Sequence, residues 1–323
     1  MALRPTANAD YTDTGGINTD ESYVNTTKFI PELYSKKVLR NFYEATFWKD
    51  IFNSDYEGEI KGQGSKVWIR KTPEINVNAY TIGTDLTYQV PQKAAGELVI
   101  DQAFYAAFQV DDVNKAQADL DLVNMFAKDA SERIKIAVDQ EVFAYIATLA
   151  HADNQGNTAG HLSNNLNMGL IAGAGASIDI TSSNAIDYIV DLNTVLDEQN
   201  IPQEGRWVIL PAWYVALLKK GDLKAANITG DSTGVIRNGL IGMINGCTIY
   251  QSNNLHTATD GDAETSWYVH AGTKEACSFA SQIDKVDTLK IEKSFGEYWR
   301  TLFVYGRAVV QNTAFATLIC KRG

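Results

Sequence analysis

The sequence predicts an α+β chain in which one domain is interrupted by an inserted second domain. Three patterns point there: a long uninterrupted amphipathic run from Leu120 to Leu149, an alternation of short helical and strand segments over residues 180–282, and a strongly alternating tail from Asp287 to Cys320. At 323 residues the chain can bury a sizeable core. With 45% hydrophobic and 21% charged residues it has the profile of a folded protein, with any disorder local.

From the beginning, Ala7 to Thr27 is rich in Asn, Asp, Thr and Gly and poor in large aliphatic residues, so residues 1–30 read as an arm that orders on a partner. From Pro31, suited to a first helical turn, Leu33, Val38, Phe42, Phe47 and Ile51 recur among charged residues and predict a helix over about 31–51 within a region 31–56. Lys66 to Arg70 and Glu97 to Gln109 read as strands bracketing an excursion, about Thr72 to Ala95, that has too few apolar residues to fold by itself. Residues 57–105 thus form a protruding loop, whose arms from a tip near Gly83 reach on the order of 40 Å at about 3.3 Å per residue.

The long helix follows, with Leu120, Val123, Ala127, Ala130, Ile134, Val138, Tyr145 and Leu149 at helical spacing and no Gly or Pro before Gly156. About thirty residues at 1.5 Å each make it the spine of a domain formed by 106–179 and 283–323. The Gly- and Asn-rich stretch Asn154 to Ile178 marks a boundary. The inserted unit, 180–282, opens with Ser183 as a candidate cap for a helix through Asp197. A buried strand Arg206 to Leu210, a short helix Trp213 to Lys219, and strands near Thr248, Trp267 and Glu275 come next. The tail is expected to return its strands to the long-helix domain.

No constellation of residues supports catalysis. Gly230-Asp231-Ser232-Thr233-Gly234 matches a nucleophile elbow, with His256 or His270 and Asp284 in the right order, but no strong strand precedes Ser232 and no helix follows. Gly173-Ala174-Gly175 lacks the strand and the Lys of a phosphate loop. His151, His161, His256 and His270 never pair at metal spacing, and Asp111, Asp112, Asp119 and Asp121 lack the order of a calcium loop, reading instead as negative charge near a helix start. No cofactor or metal is expected.

Cys247, Cys277 and Cys320 are too far apart for a disulfide framework and read as reduced thiols. A net charge of −11 argues against binding through nucleic-acid phosphates. The start, Met1 to Tyr11, lacks the apolar core of a signal peptide, and no apolar run spans a bilayer, so the expectation is a soluble product of a cytoplasm with no membrane partner. Trp68, Tyr80, Tyr88, Phe104, Tyr105 and Phe108 crowd the excursion and its base, and Trp68, Tyr80 and Tyr88 are the candidate contacts between subunits.

Several strings resemble one family when taken in order: Phe29-Ile30-Pro31-Glu32-Leu33-Tyr34-Ser35, Asp55-Tyr56-Glu57-Gly58-Glu59-Ile60, Tyr80 to Gln89 (YTIGTDLTYQ), Phe108 to Val113 (FQVDDV), Trp207 to Tyr214 (WVILPAWY) and Ser252-Asn253-Asn254-Leu255. They resemble the major capsid proteins of tailed bacteriophages with the HK97-type fold. The resemblance implies a structural, non-enzymatic subunit that self-assembles into an icosahedral shell around a genome. The chain would supply an N-terminal arm, an extended loop overlapping a neighbour, a peripheral domain with the spine helix, and an axial domain meeting its copies in hexamers and pentamers.

It further implies a virion location after synthesis in the bacterial host cytoplasm, a portal, and packaged DNA bound without sequence specificity. A separate scaffolding protein is implied because no long helical N-terminal extension is seen. Some relatives cross-link a loop lysine to a neighbour's asparagine; Lys61, Lys66, Lys71 and Lys93 lie in or near the loop, but no partner is identifiable in the sequence, so it assigns no cross-link. An encapsulin-like compartment is the alternative reading, and an esterase using Ser232 a more distant one.

Overall fold

The computed structural model describes residues 43–55, 66–71, 73, 75–83, 85–90, 94–112, 122–171, 177–221, 242–291 and 295–323. Two sheets organise them. The first has four strands, β1 (Lys66–Lys71), β2 (Ala94–Asp111), β9 (Cys277–Lys290) and β10 (Gly296–Val309), in the antiparallel order β1-β2-β10-β9. At about 3.3 Å per residue, 18-residue β2 is a ribbon of about 60 Å. Its alternation sets the faces: Phe104, Ala106 and Phe108 are half-buried while Ala103, Tyr105 and Ala107 are exposed.

Against this sheet lies the long helix α2 (Leu122–Ile146), about 38 Å at 1.5 Å per residue. It ends earlier than the sequence pattern suggests, since Leu149 lies past its end and is exposed, while Leu120 lies outside the described residues. Val123, Val138, Val142, Phe143 and Ile146 carry the buried stripe. Of the helix predicted over 31–51, the residues through 42 lie outside the described ones, and the remainder is helical only in the turn α1 (Trp48–Ile51).

The second sheet has seven strands: β3 (Ile178–Ile180), β4 (Trp207–Leu210), β5 (Met243–Ile244), β6 (Cys247–Gln251), β7 (Thr257–Thr259), β8 (Thr265–Gly272) and β11 (Phe315–Arg322). The order is β3-β11-β8-β4-β6-β5, with β7 on β8; β3/β11 and β4/β6 are parallel and the other pairs antiparallel. Helices α3 (Ala185–Glu198) and α4 (Ala212–Lys220) pack against one face, where Ile189, Leu192, Leu196, Val208, Leu210, Leu218 and Leu318 form the larger core. Alternate residues of the same strands, Trp207, Ile209 and Phe315, turn to the opposite face and join Phe143, Ile146, Trp48 and Phe279 in a second core.

The strands of the tail divide between the two sheets. The strand β9 begins beside the seven-stranded layer at Cys277 and ends in the four-stranded sheet, and β11 lies inside the seven-stranded sheet between β3 and β8. The cause is the run Phe-Ala-Thr-Leu-Ile-Cys, buried at every position, which fits a strand covered on both faces and not a half-exposed ribbon. The N-cap position of α3 is Asn184, one residue after Ser183; its side chain makes no capping hydrogen bond to the helix, and its Oδ1 accepts the Thr181 N–H of the preceding turn at 2.7 Å.

Candidate assembly surface

The loop stem is anchored. Strands β1 and β2 pair from Lys66↔Val99 to Lys71↔Ala94, and Ile69, Leu98 and Ile100 pack with Ala280 and Ala308 of β9 and β10 in a small core. Lys66 pairs with Glu97 at 3.2 Å on the surface. Beyond the stem, residues 75–83 and 85–90 have no strand ladder. Gln89 ties the arms, its Oε1 accepting the Asn76 N–H at 3.0 Å and its Nε2 donating to the Asn76 carbonyl at 3.2 Å. Gly83, with φ +89°, supplies the left-handed turn between the arms.

What the arms carry is apolar and uncovered. Ile75, Val77, Tyr80, Ile82, Leu86, Tyr88 and Val90 are each between 61% and 97% exposed. Trp68 on the stem is 63% exposed, so all three candidate contact residues, Trp68, Tyr80 and Tyr88, present their rings to solvent. The remaining aromatics of the sequence cluster divide. Phe104 stacks on Tyr305 at 6.0 Å and Phe108 on Trp299 at 6.4 Å, both in packing roles, while Tyr105 is exposed. Sequence reasoning did not single out Ile75, Val77, Ile82, Leu86 and Val90. Their signal is the two-residue repeat, Ile75/Val77 on one arm and Leu86/Tyr88/Val90 on the other, which places apolar side chains along one side of an extended chain.

The face of the four-stranded sheet away from α2 forms three cross-strand rows, Tyr105–Leu302–Lys285, Ala107–Arg300–Asp287 and Gln109–Tyr298–Leu289. Asp287 pairs with both Arg300 and Lys285 at 3.1 Å, and the two cations hold its carboxyl below the usual range. This ribbon is tied to α2 through Glu141, which pairs with Arg307 and accepts the Tyr305 hydroxyl at 2.9 Å, while the Arg307 guanidinium lies 4.2 Å from the Tyr145 ring.

A second tie fixes the segment ahead of the loop. Asp139 of α2, fully buried, accepts the N–H groups of Phe47 and Trp48 at 3.1 and 3.0 Å and the Asn254 side-chain amide at 3.0 Å. The Ser252-Asn253-Asn254-Leu255 string is thereby explained: Asn253 caps α4 through the Ala212 N–H, Asn254 reaches Asp139, and Leu255 enters the core.

No catalytic grouping forms among the described residues. Ser232 and Gly173 to Gly175 lie outside them, as do Lys61, Lys93, Asp119 and Asp121. His270 is fully buried beside the Thr317 hydroxyl at 3.1 Å, and burial lowers its pKa to about 3, which disqualifies it as a base near neutral pH. His256 packs on Tyr268, and His161 pairs with Asp153 at 2.8 Å. The three cysteines are buried free thiols, with burial raising their pKa values. No group of metal-binding side chains and no helix long and apolar enough to cross a membrane occurs among the described residues.

Two cores supporting a long ribbon and a projecting apolar loop define a structural subunit that acts by contact with other chains. Residues 97–318 match the family model described as phage capsid protein. Solved structures agree over nearly the whole length. One from Mycobacterium phage Che8 shares 26% identity over 90% of this chain and 97% of that one, with a TM-score of 0.74. The capsid of cyanophage P-SCSP1u shares 18% identity over 98% and 100%, TM-score 0.67. The capsid of Ralstonia phage GP4 shares 13% over 91% and 95%, TM-score 0.65. No curated protein matches the sequence. The chain belongs to the phage capsid protein family, with the HK97-like fold, and is a subunit of the homo-oligomeric shell of a tailed-phage virion. The family and fold are structural, not enzymatic, and the compartment and esterase alternatives are not favoured.

Proposed function

We propose that the loop is the principal grip between subunits, and that Trp68, Tyr80 and Tyr88 make contacts across subunit boundaries. The observation that carries this reading is the set of seven exposed apolar side chains on arms with no ladder of their own. Such a surface is unfavourable in water and gains by burial at about 25 cal/mol per Å². A subunit held at several such places at once gains effective concentration, so the closed shell outlasts any isolated pair. In this reading the seven-stranded layer serves as the axial domain around hexamer and pentamer centres, the four-stranded sheet with α2 as the peripheral domain, and residues 1–30 as an arm. The shell encloses DNA without sequence-specific contacts, the chain is made in the host cytoplasm and has no catalytic role, and a separate scaffolding protein and a portal assist assembly.

Negative-stain electron microscopy with sedimentation of the purified protein tests the reading. The expected result is closed shells for the native sequence and folded, unassembled subunits for the double variant Tyr80→Asp/Tyr88→Asp. Shells formed by that variant at the same protein concentration, or native subunits that stay monomeric with scaffolding protein present, refute it.

A further inference from the structure

Strand β9 is the outermost strand of the four-stranded sheet, so along one side it has no strand beside it among the described residues. Its outer part, residues 285–290, is poorly covered on its faces as well: Val286 is 58% and Leu289 47% exposed. An edge of this kind is a template for another strand unless charge or a bulge protects it. Two of its charges are already committed, Asp287 pairing with both Lys285 and Arg300 at 3.1 Å. Lys290 has no ionic partner among the described residues.

The loop carries a segment with the complementary need. Residues 85–90, Asp-Leu-Thr-Tyr-Gln-Val, have no ladder of their own and expose every side chain. On the other arm the Gln89 side chain already bonds the Asn76 N–H and carbonyl, whereas the backbone of 85–90 makes no hydrogen bond among the described residues.

The two segments match when set antiparallel. Asp85 falls opposite Lys290, Leu86 opposite Leu289 and Thr87 opposite Thr288: an opposite-charge pair, an apolar pair and a Thr–Thr pair, the kinds of cross-strand neighbour that stabilise a ladder. Tyr88 then stands opposite Asp287, so the apolar repeat of the arm extends the exposed rows that run through Arg300 and Tyr298. Set parallel, Asp85 meets Lys285, which Asp287 already holds, and Lys290 is left against Val90.

Given a loop that grips a neighbour, as proposed above, we infer that residues 85–90 of one copy add as an antiparallel fifth strand to the free edge of β9 in a neighbouring copy, at residues 285–290. Main-chain hydrogen bonds hold the added strand, and the facing side chains set its register.

Disulfide trapping in assembled shells tests this. Residues directly opposite in such a ladder have Cβ atoms about 5 Å apart, near enough for a disulfide, and the native cysteines are all buried. The double variant Leu86→Cys/Leu289→Cys, oxidised after assembly, is expected to run as a ladder of linked chains on a non-reducing gel. Leu86→Cys/Val286→Cys, opposite one another only in the parallel setting, should run as single chains. Shells in which the first pair does not link, or in which the second links instead, overturn the pairing and leave the loop as the grip; a native chain that builds no shells with scaffolding protein present overturns both. Should the cysteine variants fail to assemble, charge reversal serves. Asp85→Lys or Lys290→Asp alone should raise the protein concentration needed for assembly at least about fivefold, and the two together should return it to within about twofold of native. Single variants that assemble like the native chain, or a double variant no better than the singles, overturn the pairing.

Discussion

Replacing Asp139 separates two effects that the native side chain combines. Burial lifts its pKa from 3.8 to about 6, against the opposing hydrogen bonds from Asn254, Phe47 and Trp48. At about 1.4 kcal/mol per pH unit, the ionised carboxylate costs about 3 kcal/mol of stability at neutral pH. The sign follows from proton binding. Between pH 3.8 and about 6 the native state holds the proton that the unfolded state has lost, so this group's contribution falls as pH rises through that window and is flat above it. Asp139→Asn removes the charge and keeps an oxygen for the two N–H groups. Its new amide would oppose the Asn254 amide donor, but the Asn254 Oδ1 is buried with no hydrogen-bond partner, so a half-turn of that side chain supplies the acceptor.

Asp139→Asn is therefore expected to fold at neutral pH at least as stably as the native chain and to lose this pH dependence. Asp139→Ala strands three donors, two of them at the start of α1, and should cost about 3–5 kcal/mol at roughly 1–3 kcal/mol for each unsatisfied buried group. Urea unfolding of dissociated subunits at pH 4.5, 5.5 and 7, followed by tryptophan fluorescence, measures both. The native curve alone does not suffice. His270, with its pKa lowered to about 3 by burial, acts with the opposite sign: the unfolded state takes up its proton below about 6.5 and stability drops on acidification. The quantity to compare is the difference between native and Asp139→Asn. An unchanged pH slope in that difference, or an Asp139→Ala variant as stable as the native protein, refutes the reasoning.

Three further outcomes follow from the packing. Removing the charge of Arg307 by Arg307→Met leaves Glu141 without its cation in a largely covered position and should cost about 3–5 kcal/mol in the same urea assay. His270→Gln should lower the acid sensitivity of unfolding between about pH 4 and 6 while leaving stability at pH 8 within about 2 kcal/mol, since the neutral ring makes one side-chain hydrogen bond, to Thr317. Gly306→Ala should destabilise by about 1–3 kcal/mol, because a Cβ there falls 2.3 Å from the Val99 carbonyl oxygen in the neighbouring strand, an atom that moves only with its backbone.

The sequence displayed most of the described elements because their periods are clean. The stripe Val123, Ala127, Ala130, Ile134 and Val138 can only be a helix face, and β1, β4 and β6 were plain from β-branched runs ended by turn residues. What was hidden depended on which strands meet. Nothing local to Phe315–Arg322 says that it lies between β3 and β8, although a run buried at every position was a sign of burial on both faces. At the assembly surface the aromatic cluster is the conspicuous pattern, yet only part of it is exposed: Phe104 and Phe108 pack under α2, while the aliphatic Ile75, Val77 and Val90 are exposed alongside Trp68, Tyr80 and Tyr88. Exposure is a property of neighbours, and the neighbours of residue 104 lie at 126–137 and 299–305.

The placement of β9 and β10 explains how a projecting ribbon is held by a rigid body. Both strands start or finish in the buried layer, where Cys277, Phe279, Tyr305 and Phe315 share one core, and both continue outward until Lys290 and Tyr298 are exposed. The pairing register shifts once on each side of β10, at Val304/Tyr305 against β9 and at Tyr305/Gly306 against β2. Bulges of this kind bend and twist a ladder locally, so the ribbon changes direction where it leaves the core. At that point Tyr305 donates to Glu141 and Gly306 lets the Val99 backbone approach. A load applied to the exposed rows of the ribbon is thus carried into α2 through a hydrogen bond and an ion pair and into both cores through continuous backbone. A subunit whose neighbours pull on its loop and ribbon needs that continuity, because each contact is weak and only a stiff frame lets many of them be satisfied together.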